Sequence, residues 1–281
     1  MAHRLVPLGD VHLAVREWSS PNKQPSIVLV HGLSSNSLLW SGAAAALARL
    51  GYHVVALDLR GHGLSSKPDN GYDMQTVAGD VAALIDALGL DRPVVAGQSW
   101  GGNVVLELAR RHPRVTRGVC GVDGGLIALA QRFASWEQCA EDMKPPRLAG
   151  IQIADFESKV LKQYSGWPDA AVQGTLACMQ RHGDGTMSPW LTFERHMLVL
   201  RGLWEHSPHE TLSHTSCPVL FTLADSKGKH TQKRDDYERA ALDNTRVRLE
   251  WFASAHHDLH AQHPERWAAV VHEHITNGFL A

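Results

Sequence analysis

Residues 94–105 constrain the fold of this 281-residue chain more than any other segment. A run of β-branched and small apolar residues leads into a Gly-x-Ser-x-Gly sequence at 97–101, and a helical pattern follows at once. This order predicts a nucleophile elbow, a strand-to-helix turn so tight that it strains the backbone of Ser99 and exposes its hydroxyl. Gly97 and Gly101 fit this prediction, because a Cβ at either position would collide with the neighbouring strand or helix.

Predicted strands and helices alternate on both sides of this turn. Short apolar runs at 26–30 and 52–57 are typical of strands buried in a parallel sheet, whereas alternating apolar and polar residues over 11–18 predict an edge strand. The other predicted elements are helices over 38–50, 73–89 and 101–112, strands over 92–98, 115–122, 218–224 and 245–252, and a last helix that begins near Pro264. This alternation predicts a parallel sheet covered by helices on both faces.

The alternation stops between residues 124 and 216, where no buried strand can be recognised. This segment is rich in large apolar side chains, namely Phe133, Trp136, Phe156, Tyr164, Trp167, Met179, Trp190, Phe193 and Trp204. We expect residues 1–123 and 217–281 to form an α/β core and residues 124–216 to form a helical cap over the carboxyl edge of the sheet, where such sheets bind ligands. About half of the aromatic residues should only pack, and the others should line an apolar pocket.

The composition of the chain limits the kinds of partner and the cellular compartment that we expect for it. The 27 basic and 29 acidic residues nearly balance and form no basic block, which argues against a nucleic-acid or anionic membrane partner. We find no apolar run of 18 residues and no signal-peptide pattern at the start. The four cysteines are widely spaced, as expected for reduced thiols in the cytoplasm.

Three further motifs occur in an order that points to a known family. A His-Gly pair at 31–32 follows a predicted strand, residues 58–65 read Asp-x-Arg-Gly-x-Gly-x-Ser, and residues 255–265 form a histidine-rich loop before the last helix. Together with the elbow, they make the chain resemble the α/β-hydrolase superfamily over nearly its whole length. The resemblance implies an eight-stranded, mostly parallel sheet with helices on both faces and an inserted cap.

The resemblance also implies which histidine would activate Ser99, since a free hydroxyl is a poor nucleophile at neutral pH. The chain has 18 histidines, and two neighbours, His256 and His257, lie in the loop before the last helix. The family pattern places its histidine seven positions before the proline that opens this helix, and His257 stands at that distance from Pro264. We therefore predict that His257 is the base.

The acidic member of the triad has two candidates. In much of the family it lies a few residues beyond the strand predicted at 218–224, but the usual spacing falls on Lys227, which cannot serve, and Asp225 comes two residues early. Some members, including certain dehalogenases and lactone hydrolases, carry the acid at the end of the preceding strand, about two dozen residues after the nucleophile. Asp123 lies 24 residues after Ser99. We favour Asp123 over Asp225, although an Asp-Gly pair can also serve only as a turn.

The family pattern further implies an oxyanion hole formed by the backbone N–H groups of Leu33 and Trp100. For His31 and for the polar side chains of the 58–65 loop, we expect hydrogen bonds that order their loops rather than a chemical role. The histidines of 256–260 lack the additional ligands that a metal site needs, so we expect no metal and no cofactor.

These residues together predict a serine hydrolase that cleaves an ester, lactone or thioester of a hydrophobic small molecule through an acyl-enzyme. Dehalogenases and epoxide hydrolases of this fold resemble one another in carrying aspartate at the nucleophile position, where this chain has Ser99. Two alternatives remain: a cofactor-free dioxygenase or lyase that uses only the His/Asp pair, and a ligand-binding receptor that keeps a hydrolase scaffold.

Overall fold

The computed structural model describes residues 3–20, 24–225 and 231–281. The strands are β1 (Arg4–Leu8), β2 (Val11–Trp18), β3 (Ile27–Val30), β4 (Val54–Leu57), β5 (Val94–Gln98), β6 (Gly118–Val122), β7 (Ile151–Gln152), β8 (Met179–Arg181), β9 (Thr186–Pro189), β10 (Val219–Asp225) and β11 (Val247–Ala253). The helices are α1 (Ser41–Arg49), α2 (Met74–Ala87), α3 (Trp100–Arg111), α4 (Leu129–Arg132), α5 (Trp136–Met143), α6 (Ile153–Gln163), α7 (Asp169–Leu176), α8 (Phe193–Glu205), α9 (Pro208–Ser213), α10 (Thr231–Asp243), α11 (Leu259–Gln262) and α12 (Pro264–Thr276).

The central sheet has eight strands in the order β1-β2-β4-β3-β5-β6-β10-β11. β2 runs antiparallel to both β1 and β4, and every other neighbouring pair is parallel. All residues of β3, β4, β5 and β6 are buried, as their continuous apolar sequences predict. The predicted α/β-hydrolase fold, with a mostly parallel eight-stranded sheet, is confirmed.

The prediction that residues 11–18 form an edge strand is wrong. β1 pairs with β2 along its whole length, from Arg4 opposite Val15 to Leu8 opposite Val11, and β1 is the strand at the edge. Pro7 obscured β1 in the sequence, because proline cannot donate to a ladder and is tolerated in strands mainly at sheet edges. The helix predicted over 38–50 also differs in detail, since it begins as a 3₁₀ helix at Ser37–Trp40 and continues as α1.

Residues 124–216, called the inserted segment below, contain more than helices. Besides α4 to α9, they form a small antiparallel sheet in the order β7-β9-β8. These strands have two to four residues each, too few for a period-two pattern to be recognised in the sequence. Among the helices of the described ranges, none has the length and apolar character needed to cross a membrane.

Asn103 of α3 ties the start of the inserted segment, and the residue after α8, to the helix that follows the elbow. Its Oδ1 accepts a hydrogen bond from the Gly125 N–H at 3.1 Å, and its Nδ2 donates to the Ile127 carbonyl oxygen at 3.0 Å. The same Nδ2 lies 3.1 Å from Nδ1 of His206, which follows α8. Because Asn103 is fully buried, its partners depend on its amide group rather than on bulk water.

Asn103→Ala should therefore lower the free energy of unfolding by about 2–3 kcal/mol, since it leaves buried donors and acceptors unpaired. Urea unfolding followed by circular dichroism measures this difference. Asn277→Ala, at an exposed helix end, serves as the control and should change the free energy by less than about 1 kcal/mol. An equal loss in the two variants would contradict the anchoring role of Asn103.

Candidate active site

Ser99 lies at the turn between β5 and α3, as the sequence predicts. Its backbone has φ 52° and ψ −122°, a sparsely populated conformation that costs a non-glycine residue about 1–3 kcal/mol. A Cβ on Gly97 would lie 2.0 Å from the Gly101 carbonyl oxygen, and a Cβ on Gly101 would lie 2.5 Å from the His31 carbonyl oxygen. The steric prediction for both glycines is confirmed. The turn places Ser99 in the wall of a cavity.

Asp123 follows β6, beside the end of β5, and also has a positive φ, of 45°. The next residue, Gly124, allows the two turns to touch, because a Cβ there would lie 2.1 Å from the Ser99 carbonyl oxygen. The Asp123 side chain is only 8% exposed. Its Oδ2 accepts a hydrogen bond from His257 Nδ1 at 2.6 Å, and its Oδ1 accepts one from the Ala224 N–H at 2.8 Å.

Asp225, the second candidate for the acid, has a different environment. It ends β10, its side chain is 34% exposed, and its Oδ2 accepts a hydrogen bond from Arg234 Nη2 at 3.1 Å. The carboxylate that contacts His257 is thus that of Asp123, whereas the carboxylate of Asp225 pairs with Arg234 on α10. Lys227, where the usual family spacing falls, lies outside the described residues.

The charges of Asp123 and His257 stabilise each other. Burial alone would raise the pKa of Asp123, but the hydrogen bond from His257 and the ammonium of Lys233 hold that pKa below its ordinary value. Burial would lower the pKa of His257, but the hydrogen bond to Asp123 and its negative charge raise it. Because the ionised carboxylate takes a hydrogen bond from Nδ1, Nε2 is the nitrogen left to accept a proton. His257 is 47% exposed and lines the same cavity as Ser99.

The two predicted oxyanion residues lie close to Ser99. Trp100 is the first residue of α3, where backbone N–H groups have no partner within the helix, and its side chain is 1% exposed in the core. Leu33 lines the cavity. It follows Gly32, where an added Cβ would lie 3.1 Å from the Ser99 Cβ, so this loop passes directly against the nucleophile position.

Two buried histidines order the loop that carries Leu33. His31 Nε2 accepts a hydrogen bond from the Leu59 N–H at 2.9 Å, and His62 Nε2 accepts one from the Ser34 N–H at 3.2 Å. Burial lowers the pKa of both imidazoles, which keeps them neutral and able to accept. The predicted loop-ordering role of His31 and His62 is confirmed.

Asp58 and Arg60 have the same kind of role. Asp58 accepts hydrogen bonds from the backbone N–H groups of Ser37 and Leu64, at 2.7 and 2.9 Å. Arg60 binds both carboxylate oxygens of Asp80 on α2, at 2.5 and 2.7 Å, in the bidentate geometry that makes such pairs rigid.

The cavity has a volume of about 1030 Å³ and lies between the core loops and the inserted segment. Its apolar wall consists of Leu33, Leu39, Met143, Leu148, Phe156, Met179, Leu191 and Phe193. Other aromatic residues of the segment only pack, such as Trp136 against Trp204 with ring centroids 6.3 Å apart. Three of the eight aromatic residues of this segment, Phe156, Tyr164 and Phe193, line the cavity. The sequence could not indicate which residue would do which.

Lys233 on α10 is a site residue that the sequence analysis missed. Its Nζ donates to Asp123 Oδ1 and, at 3.1 Å, to the Ala224 carbonyl oxygen. Nothing in the sequence distinguishes this lysine from the charged residues around it on an otherwise polar helix. Among the side chains that the structure describes, no three from His, Cys, Asp and Glu gather where they could hold a metal ion.

Comparison with known proteins identifies the family. Residues 25–215 match the model of the alpha/beta hydrolase fold family, and the chain belongs to that family. It is 33% identical over 207 residues to a 2-(acetamidomethylene)succinate hydrolase of Mesorhizobium japonicum, a match that covers 71% of this chain and 69% of that protein. It is 35% identical over 123 residues to epoxide hydrolase B of Mycobacterium tuberculosis, covering 43% of this chain and 35% of that protein.

Solved structures share the fold along almost the whole chain. The structure of an E-2-(acetamidomethylene)succinate hydrolase superposes with a TM-score of 0.79 at 22% identity and covers 98% of this chain and 99% of its own. A thioesterase domain from the curacin biosynthetic pathway superposes with a TM-score of 0.78 at 20% identity. This match covers 96% of this chain and 99% of that domain. These named relatives are hydrolases, and at such identities the structural likeness defines the fold alone.

Replacing Lys233 should change the titration of His257. The positive charge of Lys233 disfavours protonation of the His257 imidazole. Lys233→Met removes that charge, so the pKa of His257 should rise. The other ionisable groups facing this pair, Tyr237, Asp258 and His260, stay in place. NMR titration of the histidine ring resonances, assigned by comparison with His257→Gln, measures the shift.

Arg234→Met is the matched control, because Arg234 lies on the same helix and pairs with Asp225 instead. It should leave the titration of His257 unchanged. The same midpoint in Lys233→Met and in the unmodified protein would contradict the electrostatic role of Lys233.

Proposed function

We propose that this protein is a serine hydrolase that cleaves an ester, lactone or thioester of a hydrophobic small molecule. The observation that carries the proposal is the hydrogen bond of 2.6 Å from His257 Nδ1 to Asp123, made by a histidine that shares one cavity with Ser99. A nucleophile on a strained turn, a base and an acid that orients the base are the three groups that acyl transfer requires. The inserted segment acts as the cap of this site.

The first half of the reaction forms an acyl-enzyme. Ser99 Oγ attacks the substrate carbonyl carbon while its proton passes to His257 Nε2, and Asp123 stabilises the imidazolium that results. The backbone N–H groups of Leu33 and Trp100 donate to the oxyanion. When the tetrahedral intermediate collapses, the bond to the alcohol or thiol breaks, and His257 returns the proton to that leaving group.

The second half regenerates the enzyme. A water molecule gives a proton to His257 and attacks the Ser99 ester, and the carboxylic acid leaves as Ser99 recovers its proton. The acyl and leaving parts of the substrate occupy a cavity whose wall is largely apolar, which fits a hydrophobic compound.

The names of the relatives support hydrolysis of acyl compounds. They include the 2-(acetamidomethylene)succinate hydrolase and, among solved structures of the same fold, the thioesterase domain and a putative aryl esterase of Burkholderia cenocepacia. Despite the match to epoxide hydrolase B, we do not propose epoxide hydrolysis for this protein. The epoxide hydrolases of the family resemble one another in using aspartate where this chain has Ser99.

The proposal predicts hydrolysis of p-nitrophenyl esters, measured by p-nitrophenolate release across acyl chain lengths. Ser99→Ala should lower kcat by about 10⁴-fold or more, because it removes the nucleophile. Asp123→Asn should lower kcat by about 10³- to 10⁴-fold, because it removes the carboxylate that orients the base. Asp225→Asn is the matched control and should retain at least about half of the activity.

Two results would count against this assignment. Loss of activity in Asp225→Asn with an active Asp123→Asn would place the acid on β10. Full turnover of a substrate by Ser99→Ala would favour the dioxygenase or lyase chemistry that needs only the His/Asp pair.

A further inference from the structure

The wall of the cavity also carries polar side chains. Ser35, Gln98, Tyr164, Thr175 and Asp258 are among them, and we call this group the polar end. It adjoins the reacting groups, because Gln98 directly precedes Ser99 and Asp258 directly follows His257. The hydroxyl of Ser35 is buried and has no hydrogen-bond partner within the described residues.

The carboxylate of Asp258 is the unusual member of the polar end. Its side chain is only 18% exposed, and its Oδ1 accepts a hydrogen bond from Gln98 Nε2 at 3.1 Å. No lysine or arginine nitrogen of the described residues lies within 4 Å of it. The nearest basic group is His256, whose Nδ1 lies 3.6 Å from Oδ2. The Asp258 backbone N–H lies 3.2 Å from the same nitrogen.

Asp258 is nevertheless ionised at neutral pH. Burial alone would raise its pKa, but contact with His256 and the neighbouring imidazoles of His260 and His257 hold that pKa below its ordinary value. A largely buried carboxylate without a lysine or arginine partner is costly to fold unless other groups replace the water that it has lost. Such a group in the wall of a cavity is a candidate for binding a ligand of opposite charge.

Aromatic rings lie beside His256, the imidazole that contacts this carboxylate. The rings of Tyr164 and Trp167 meet edge to face with centroids 4.8 Å apart, and the Trp167 ring lies 5.1 Å from that of His256. Aromatic faces attract organic cations, and they attract them more strongly where water is excluded. A carboxylate close to such rings is a typical environment for an ammonium group.

The positive side chains of the cavity belong to a different part of it. Lys144 and Arg147 lie in the exposed loop after α5. Lys144 is paired with Glu141, and the Arg147 guanidinium lies over the Phe193 ring, 4.1 Å from its centroid. Neither side chain neutralises Asp258.

We propose that Asp258 binds an ammonium group in the leaving part of the substrate, so that the enzyme acts on esters or thioesters of cationic alcohols or thiols. This inference rests on the proposed function, and it specifies the substrate class of the same site. We assign the ammonium to the leaving part because His257 must protonate the leaving group. The leaving group therefore lies close to His257 and to Asp258, the next residue. The acyl part then faces the apolar wall.

Two thioesters of the same shape test the proposal. Butyrylthiocholine carries a quaternary ammonium, and S-(3,3-dimethylbutyl) thiobutyrate replaces its nitrogen by carbon; thiol release is followed with a disulfide reagent. For the unmodified protein, kcat/KM should be about tenfold or more higher for the cationic thioester than for the neutral one. Asp258→Asn, which preserves the shape, should reduce this ratio to about one.

Glu194→Gln is the matched control, since Glu194 is an exposed carboxylate of the same cavity and lies in the inserted segment. It should leave the ratio unchanged. The ratio of two substrates in one variant cancels any effect of Asp258 on His257 or on folding. A preference for the neutral thioester, or a preference for the cationic one that survives in Asp258→Asn, would overturn the proposal.

A binding measurement separates this inference from the proposed function. Calorimetric titration of Ser99→Ala with butyrylthiocholine needs no turnover, and adding Asp258→Asn to that variant should weaken binding about tenfold. Cleavage of the neutral thioester without any cation preference would overturn the inference and leave the hydrolase standing. Asp258-dependent binding in a protein whose unmodified form cleaves neither thioester would support the ammonium site and refute the hydrolase.

Discussion

The site depends on one close approach between two backbone turns. The turn after β6 presses against the turn after β5, so that a Cβ on Gly124 would lie 2.1 Å from the Ser99 carbonyl oxygen. Only glycine permits this contact, and it brings Asp123 beside the nucleophile turn. Both Ser99 and Asp123 have a positive φ, and such strain persists only where the surrounding structure imposes it. Here the buried parallel strands β5 and β6 impose it.

Electrostatics explain how Asp123, the acid of the proposed triad, can lie after β6. Ala224 and Lys233 both donate to Asp123 Oδ1, which leaves Oδ2 for His257. The backbone at the end of β10 thus still takes part in the site, although Asp225 faces Arg234 instead. The lysine holds the carboxylate in place and reduces the negative charge that the imidazole experiences. The position and the pKa of the Asp123 carboxyl are therefore set by residues from two neighbouring elements.

Much of this arrangement could be predicted from the sequence, because local patterns determine it. The elbow needs glycine at 97 and 101 for steric reasons, and buried parallel strands are continuous apolar runs, so the fold and the position of Ser99 follow from short motifs. The preference for Asp123 over Asp225 rests instead on the resemblance to certain members of the family. Lys233 and the polar end could not be predicted, since their contacts join residues 110 and 160 positions apart in the chain. β1 was missed because Pro7 is unusual in a strand, and β7 to β9 were missed because they are so short.

The central claim is that Ser99 is the nucleophile of this cavity, and labelling by a fluorophosphonate tests it most directly. Such reagents phosphonylate only an activated serine, and intact-mass and peptide mass spectrometry locate the adduct without any knowledge of the substrate. Our account predicts one phosphonyl group per chain, on the peptide that contains Ser99, and no adduct in Ser99→Ala. An unlabelled protein, or an adduct on another residue that persists in Ser99→Ala, would contradict it.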